Sequence, residues 1–250
     1  HDSRQVEPIV VRRRPPQKRH RTLGQAPGGI DGLIPHLDIS FAMGHLVELR
    51  EVRPDRMMAG PEKTGAGLCS MVDKDGHDWL GFRPQHGSGA GGEFRGSPNA
   101  VFHQPGGAYF HARNAGTDLS VTKVDYAGLD RVTISAESGN RLWAAKYDFF
   151  PTHCTFTMTR MPAGRKYWVL YEGVPGGQFD DSDWWMTSDV TTLQPMSVRH
   201  DGNIPSPEWI CFGDAKLNRT LFLLHHEDDD YPDTFYQMEH KMTVFGFGRS

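Results

Sequence analysis

The sequence predicts an all-β protein, an antiparallel β-sandwich of supersandwich or jelly-roll-like layout, and three observations carry that expectation. From residue 45 onward short apolar runs alternate with turn signals at roughly the 8 to 12 residue spacing of sandwich strands. Twenty-eight glycines and 17 prolines punctuate the 250 residues. Helical periodicity is weak throughout, with at most a turn or two near "GGIDGLIPHL" or "PDTFYQMEH", too short for a crossover helix.

Taken in order, "HLVELREV" reads as the first strand. "GLCSMV" and "DWLGF" flank "DKDG", a hairpin turn in which Gly76 supplies the positive φ that other residues resist. "LSVTKVDY" is followed by "DRVTISAE", where Val132, Ile134 and Ala136 fall on one face and Arg131, Thr133 and Ser135 on the other. "RLWAAKYDFF", "THCTFTMTR" and "KYWVLYE" continue the meander. In the second of these Cys154, Phe156 and Met158 alternate with threonines, so one side is core and one is wet. "EWICFG", "RTLFLLHH" and "MTVFGFG" supply the last strands.

Residues 1–27 read as a basic, proline-containing arm and 28–250 as a single sandwich domain. Residues 1–22 hold seven Arg or Lys and two acids, a net of +5, which leaves −9 over the rest of a chain whose formal total is −4. The tail "VVRRRPPQKRHRT" has no apolar face to bury, and its prolines oppose regular structure. No apolar run approaches the 18 or so residues that cross a membrane, so no membrane partner is expected, and nucleic acid is not expected either. The expected compartment is periplasmic or extracellular, although no secretory segment is visible. Cys69, Cys154 and Cys211 are too few and too dispersed for a disulfide framework or a zinc site. Thirteen histidines favour a site without locating it.

Chemistry concentrates in the Gly-rich segment 87–114, which interleaves Glu93, Arg95, Asn99, His103, Tyr109, His111, Arg113 and Asn114. A long loop of this composition is usually functional. Strand alternation in "AYFHARN" would set Tyr109, His111 and Arg113 on one face, an acid/base pair beside a cation, suited to abstracting a proton next to a carboxylate. Glu172 shares a face with Trp168 and Leu170; if that face is core, burial raises its pKa toward general-acid duty. Trp184 and Trp185, among the acids of "DDSDWWMTSD", read as a saccharide platform, since flat rings pack on the C–H face of a pyranose. Neighbours in an extended segment diverge, so at most one faces a ligand. After "TLFLL", the run His225 to Asp230 reads as a solvated acidic loop, with His226 as a substrate-facing residue. No cofactor is expected; a structural divalent cation, if one binds, has His225 to Asp230 as its place in the sequence.

The run "GAGLCSMVDKDGHDWLGF" through "GEFRGSPNAV", with "KYWVLYEGVPGG" later, resembles the galactose-mutarotase-like β-sandwich of aldose epimerases and of the sheet domains of polysaccharide lyases. The likeness rests on layout over residues 45–250. Arg95, Asn99 and "FHQPGG" echo the epimerase pattern, with Gln104 and Pro105 intervening. The resemblance implies His103 and His111 as proton-transfer residues and Arg95 with Asn99 as substrate holders.

Together these readings lead to a carbohydrate-active enzyme, a polysaccharide lyase acting by β-elimination on a uronic-acid glycan. Arg95 or Arg113 would neutralise the carboxylate, His111 or His103 would take the C5 proton, and Tyr109 would protonate the leaving oxygen. The alternatives are a glycoside hydrolase pairing Glu172 with Glu93, Glu137 or Glu227, and a non-catalytic carbohydrate-binding module. In each case the partner is a polysaccharide or oligosaccharide.

Overall fold

Two antiparallel sheets packed face to face make the fold, in a computed structural model that describes residues 38–44, 67–101, 120–138, 141–163, 168–217, 219–227 and 229–248. All of these lie in one unit, 34–250. No α-helix occurs among the described residues. The expected first strand, 45–52, lies outside them.

The strands in chain order are β1 (Asp38–Gly44), β2 (Gly96–Val101), β3 (Val121–Ala127), β4 (Val132–Glu137), β5 (Ala144–Phe149), β6 (His153–Arg160), β7 (Trp168–Gly173), β8 (Asp183–Thr187), β9 (Gln194–Pro195), β10 (His200–Gly202), β11 (Trp209–Asp214), β12 (Arg219–His225), β13 (Asp233–Met238) and β14 (Met242–Phe247). The larger sheet has nine strands, ordered β3-β4-β5-β6-β1-β12-β11-β8-β9, and the smaller has five, ordered β10-β13-β14-β7-β2.

Alternation decides the core. In β6 the predicted face, Cys154, Phe156 and Met158, is buried, and in β4 so are Ile134 and Ala136. These meet Val169, Tyr171, Phe235, Phe245 and Phe247 of the smaller sheet, with Trp185, Ile210, Phe212, Leu221 and Leu223 of the larger one completing the layer. Phe212 sits at its centre, 5.3 Å from Tyr171, 5.6 Å from Phe235 and 5.9 Å from Phe245 between ring centroids. Spacings and tilts of this kind are those that aromatic quadrupoles favour.

Three expectations are corrected. "GLCSMV" and "DWLGF" do not form full strands: they contribute the isolated bridges Leu68↔Ser97 and Val72↔Asp78, although Gly76 does take a φ of 95° in the turn. "PDTFYQMEH" is not helical but forms β13, which hairpins into β14. In the three-residue connection 239–241, Glu239 and His240 both hold φ of 52° and Lys241 N–H donates to the Met238 carbonyl at 2.9 Å, a tight left-handed turn closed where Met242 pairs with Met238. Glu-His lacks the usual Asn-Gly signature, which is why the turn is silent in the sequence. Residues 96–101, expected inside a long loop, form β2; it is an edge strand with a register break between Gly96 and Asn99, the two settings in which a strand tolerates Pro98. "DWWMT", not among the expected strands, is likewise one, β8.

Candidate functional site

The outer face of the smaller sheet carries the most concentrated chemistry that the sequence anticipated. Val169 and Tyr171 of β7 point into the core, so Trp168, Leu170 and Glu172 point away from it. Register aligns Glu172 with Gly96 of β2 on one side and Val244 of β14 on the other, and Val244 with Tyr236 of β13. The Arg199 guanidinium lies over the Tyr236 ring, 5.9 Å from its centroid. Met242, Val244, Val174 and Ala90 form a second apolar cluster on this face, flanked by Phe94 and Phe179. Glu172 is therefore a carboxylate only 6 % exposed on an apolar floor.

Arg95 stands beside this site, but its guanidinium is committed elsewhere. Nε donates to the Ala90 carbonyl at 3.1 Å, Nη1 to Gly81 at 3.2 Å and Nη2 to Lys241 at 3.0 Å. The sequence expectation of a substrate-holding Arg95 is thus replaced by a buried clamp that ties the loop before β2 to the β13–β14 hairpin. Glu93 is used similarly: its carboxylate accepts the Gly87 N–H at 2.6 Å. Asn99 sits two rows of the sheet from there, opposite Leu170. His103, Tyr109, His111 and Arg113 follow directly on β2 in the chain and lie outside the described residues.

The two tryptophans part company as their strand dictates. Trp185 is 2 % exposed, 5.4 Å from the Phe235 ring, with its indole N–H donating to the Val198 carbonyl at 3.0 Å. It is a core residue, so of the two tryptophans read as a saccharide platform it is the one that turns inward. Trp184 lies on the outer face of the larger sheet against Gly213, where a Cβ would sit 2.2 Å from the indole. Trp209 and Phe222 share that face with ring centroids 5.1 Å apart, four residues along β11 from Gly213, about 13 Å at the strand rise.

His226 is exposed just past β12, while its neighbour His225 turns into the protein. There His225 Nδ1 lies 2.5 Å from Glu208 Oε2, and both side chains are fully buried. His225 is accordingly not placed to join a cation in the loop that follows.

Two further groupings were not anticipated. Asp233, 0 % exposed, accepts the Ile204 N–H at 2.9 Å and the Gly248 N–H at 3.2 Å. Burial, and then the Glu208 charge, push its pKa up to about 8. At the other end of β11, Asp180, Asp183 and Asp214 bring carboxylate oxygens within 4.8 Å of one another. Asp214 carried no local signal in the sequence, because only the β8–β11 register, Asp214↔Asp183, makes it part of a cluster.

No family model, curated protein or solved structure matches the chain.

Proposed function

We propose that the protein is a carbohydrate-active enzyme that binds a uronic-acid-containing glycan on the outer face of its smaller sheet and cleaves it by β-elimination. The supporting observation is Glu172, a nearly buried carboxylate on an apolar floor with Trp168, Tyr236 and Arg199 on the same face, reached along an edge strand, β2, that runs into the segment bearing His103, Tyr109, His111 and Arg113. Aromatic rings beside a few polar groups are what saccharide recognition needs.

In the reaction, a cation such as Arg113 or Arg199 holds the uronate carboxylate and lowers the cost of charge developing on it. His111 or His103 takes the C5 proton, the C5–H electron pair becomes the C4–C5 double bond, and the C4–oxygen bond breaks. Tyr109 donates the proton that the leaving oxygen needs. Hydrolysis is the less supported route, because it requires a second carboxylate across the sugar from Glu172. Of the three expected partners, Glu93 is bonded to loop N–H groups, Glu137 belongs to β4 of the larger sheet, and Glu227 lies in the loop after β12 of that sheet.

The test is a panel of glucuronan, alginate and pectate, followed by the ultraviolet absorbance of the conjugated unsaturated uronate that only elimination creates. Rising absorbance with one polymer, lost in Tyr109→Phe and His111→Ala, supports the reading. New reducing ends without that absorbance establish hydrolysis instead. Retention on a glycan with no cleavage reduces the protein to a binding module.

A further inference from the structure

The geometry points to a calcium site formed by Asp180, Asp183 and Asp214, where the loop after β7 meets the ends of β8 and β11. It stands independently of the glycan reading, since it lies at the β8–β11 end of the larger sheet and uses none of the residues assigned to the sugar.

Three carboxylates converge there, and the hydrogen bonds of the most buried one are incomplete. Asp183 is 2 % exposed. Its Oδ2 accepts the Asp180 N–H at 3.0 Å, but its Oδ1, inaccessible to solvent, has no hydrogen-bond partner. A buried carboxylate oxygen left without a donor is costly and calls for a ligand. A carboxylate oxygen of Asp183 lies within 4.8 Å of one from Asp180 and of one from Asp214.

Around it, Asp180 Oδ1 accepts the Ser182 N–H and Asp214 Oδ1 the Lys216 N–H, each at 2.8 Å. Ser182 Oγ lies 2.5 Å from Asp180 Oδ1 and 2.7 Å from Asp214 Oδ1, yet a hydroxyl has one hydrogen and serves only one of them at a time. Among the described residues Lys216, with Nζ 2.6 Å from Asp180 Oδ2, is the one ammonium paired with the trio, and it is mostly exposed. The Asp214 carboxylate is seated against Gly176, where a Cβ would come within 2.6 Å of Oδ2, so the loop leaves room for it by having no side chain there.

Donor chemistry selects the ion. All the donors are oxygens, which suits hard cations rather than zinc or copper. The carboxylate oxygens lie within 4.8 Å of one another, close enough to share one ion, and calcium takes several carboxylates in irregular geometry where magnesium keeps most of its waters. A calcium ion would satisfy Asp183 Oδ1, offset the repulsion among three carboxylates, and fasten the loop after β7 to the two strands.

The experiment uses the full chain, freed of metal with chelator, titrated with calcium chloride by calorimetry and followed in parallel by thermal melting. One saturable equivalent of calcium and a rise in Tm are expected, with terbium replacing calcium and luminescing through Trp184 or Trp185. Asp183→Asn and Asp214→Asn should weaken calcium binding by at least tenfold, while Glu227→Gln, in the acidic loop after β12, leaves it unchanged. Lys216→Met should tighten binding by about tenfold, because it removes a competing positive charge. Absence of saturable binding, full binding in Asp183→Asn, or a preference for magnesium would overturn the assignment. If the aspartate variants fail to fold, Lys216→Met decides alone: unchanged affinity refutes the site.

Discussion

Raising the pH from 6 to 8 should destabilise this protein, and Asp233 supplies a definite share of the loss. Its carboxyl is fully buried beside Glu208, which is itself engaged by His225. Burial first, and the Glu208 charge second, lift its pKa to about 8, against about 3.9 for an aspartate in an unfolded chain. Between those values the folded protein holds a proton that the unfolded chain has released. Stability is therefore fully present below about pH 4, falls as pH rises, and levels off once the folded group also ionises near pH 8. At ~1.4 kcal/mol per pH unit, easing as the folded group ionises, the step from pH 6 to pH 8 costs ~2 kcal/mol. For a chain of this size that lowers Tm by roughly 4 to 8 °C. The assay is calorimetric melting in metal-free buffers at constant ionic strength, on wild type and on Asp233→Asn. Asp183, also raised to about 8, mainly by burial, adds a slope of the same sign, so the Asp233 share is read from the difference between the two proteins. A wild-type Tm that is flat or rising over this range, or an identical slope in Asp233→Asn, refutes the reasoning.

Other outcomes follow from the packing. Trp185→Ala should cost about 3 to 5 kcal/mol in urea unfolding because it empties a site in the core, whereas Trp184→Ala on the outer face should cost less than half as much. Arg95→Lys cannot reproduce three diverging N–H donors, so it should lower stability by about 2 to 3 kcal/mol, and weak-affinity chromatography on an immobilised glycan should show retention unchanged once the variant is folded. Replacing Glu239-His240 with Asn-Gly suits positive φ at both turn positions, and should raise stability by about 1 kcal/mol in the same unfolding assay.

How much of this was legible in the sequence depends on the range of the signal. Strand alternation is local, so "THCTFTMTR" and "DRVTISAE" announced both their conformation and their buried faces. β2 was hidden because "GSPNAV" contains the residues that strands avoid, and only its edge position and register break make Pro98 acceptable. β8 was hidden because aspartates bracket its tryptophans; the strand begins on Asp183, whose side chain turns to the loop N–H of Asp180 instead of to water. The least legible feature is the acidic trio, since Asp183 and Asp214 are brought together by a strand pairing. Arg95 shows the opposite failure: its type was conspicuous, but its three carbonyl partners come from Gly81, Ala90 and Lys241, and no local pattern reports such a convergence.

Buried aspartates recur in the turns and strand ends of this fold, and comparing their partners separates the structural ones from the one that invites a ligand. Burial pushes Asp73 upward, but donors from His77, Trp79 and Asp75 outweigh it and leave its pKa lowered; Arg219 Nε lies 3.4 Å away and completes the neutralisation. Asp233 has no cation among the partners named, yet each of its oxygens accepts an N–H, and its raised pKa lets it stay protonated beside Glu208. Neither leaves an oxygen unanswered. Asp183 differs from both in having one oxygen with a donor and one without, while two more carboxylates stand within 4.8 Å. A proton could neutralise its charge, but a single proton does nothing for the crowding of Asp180 and Asp214 around it. A divalent ion answers all three at once, which is why this cluster, of the three, is the one read as a binding site.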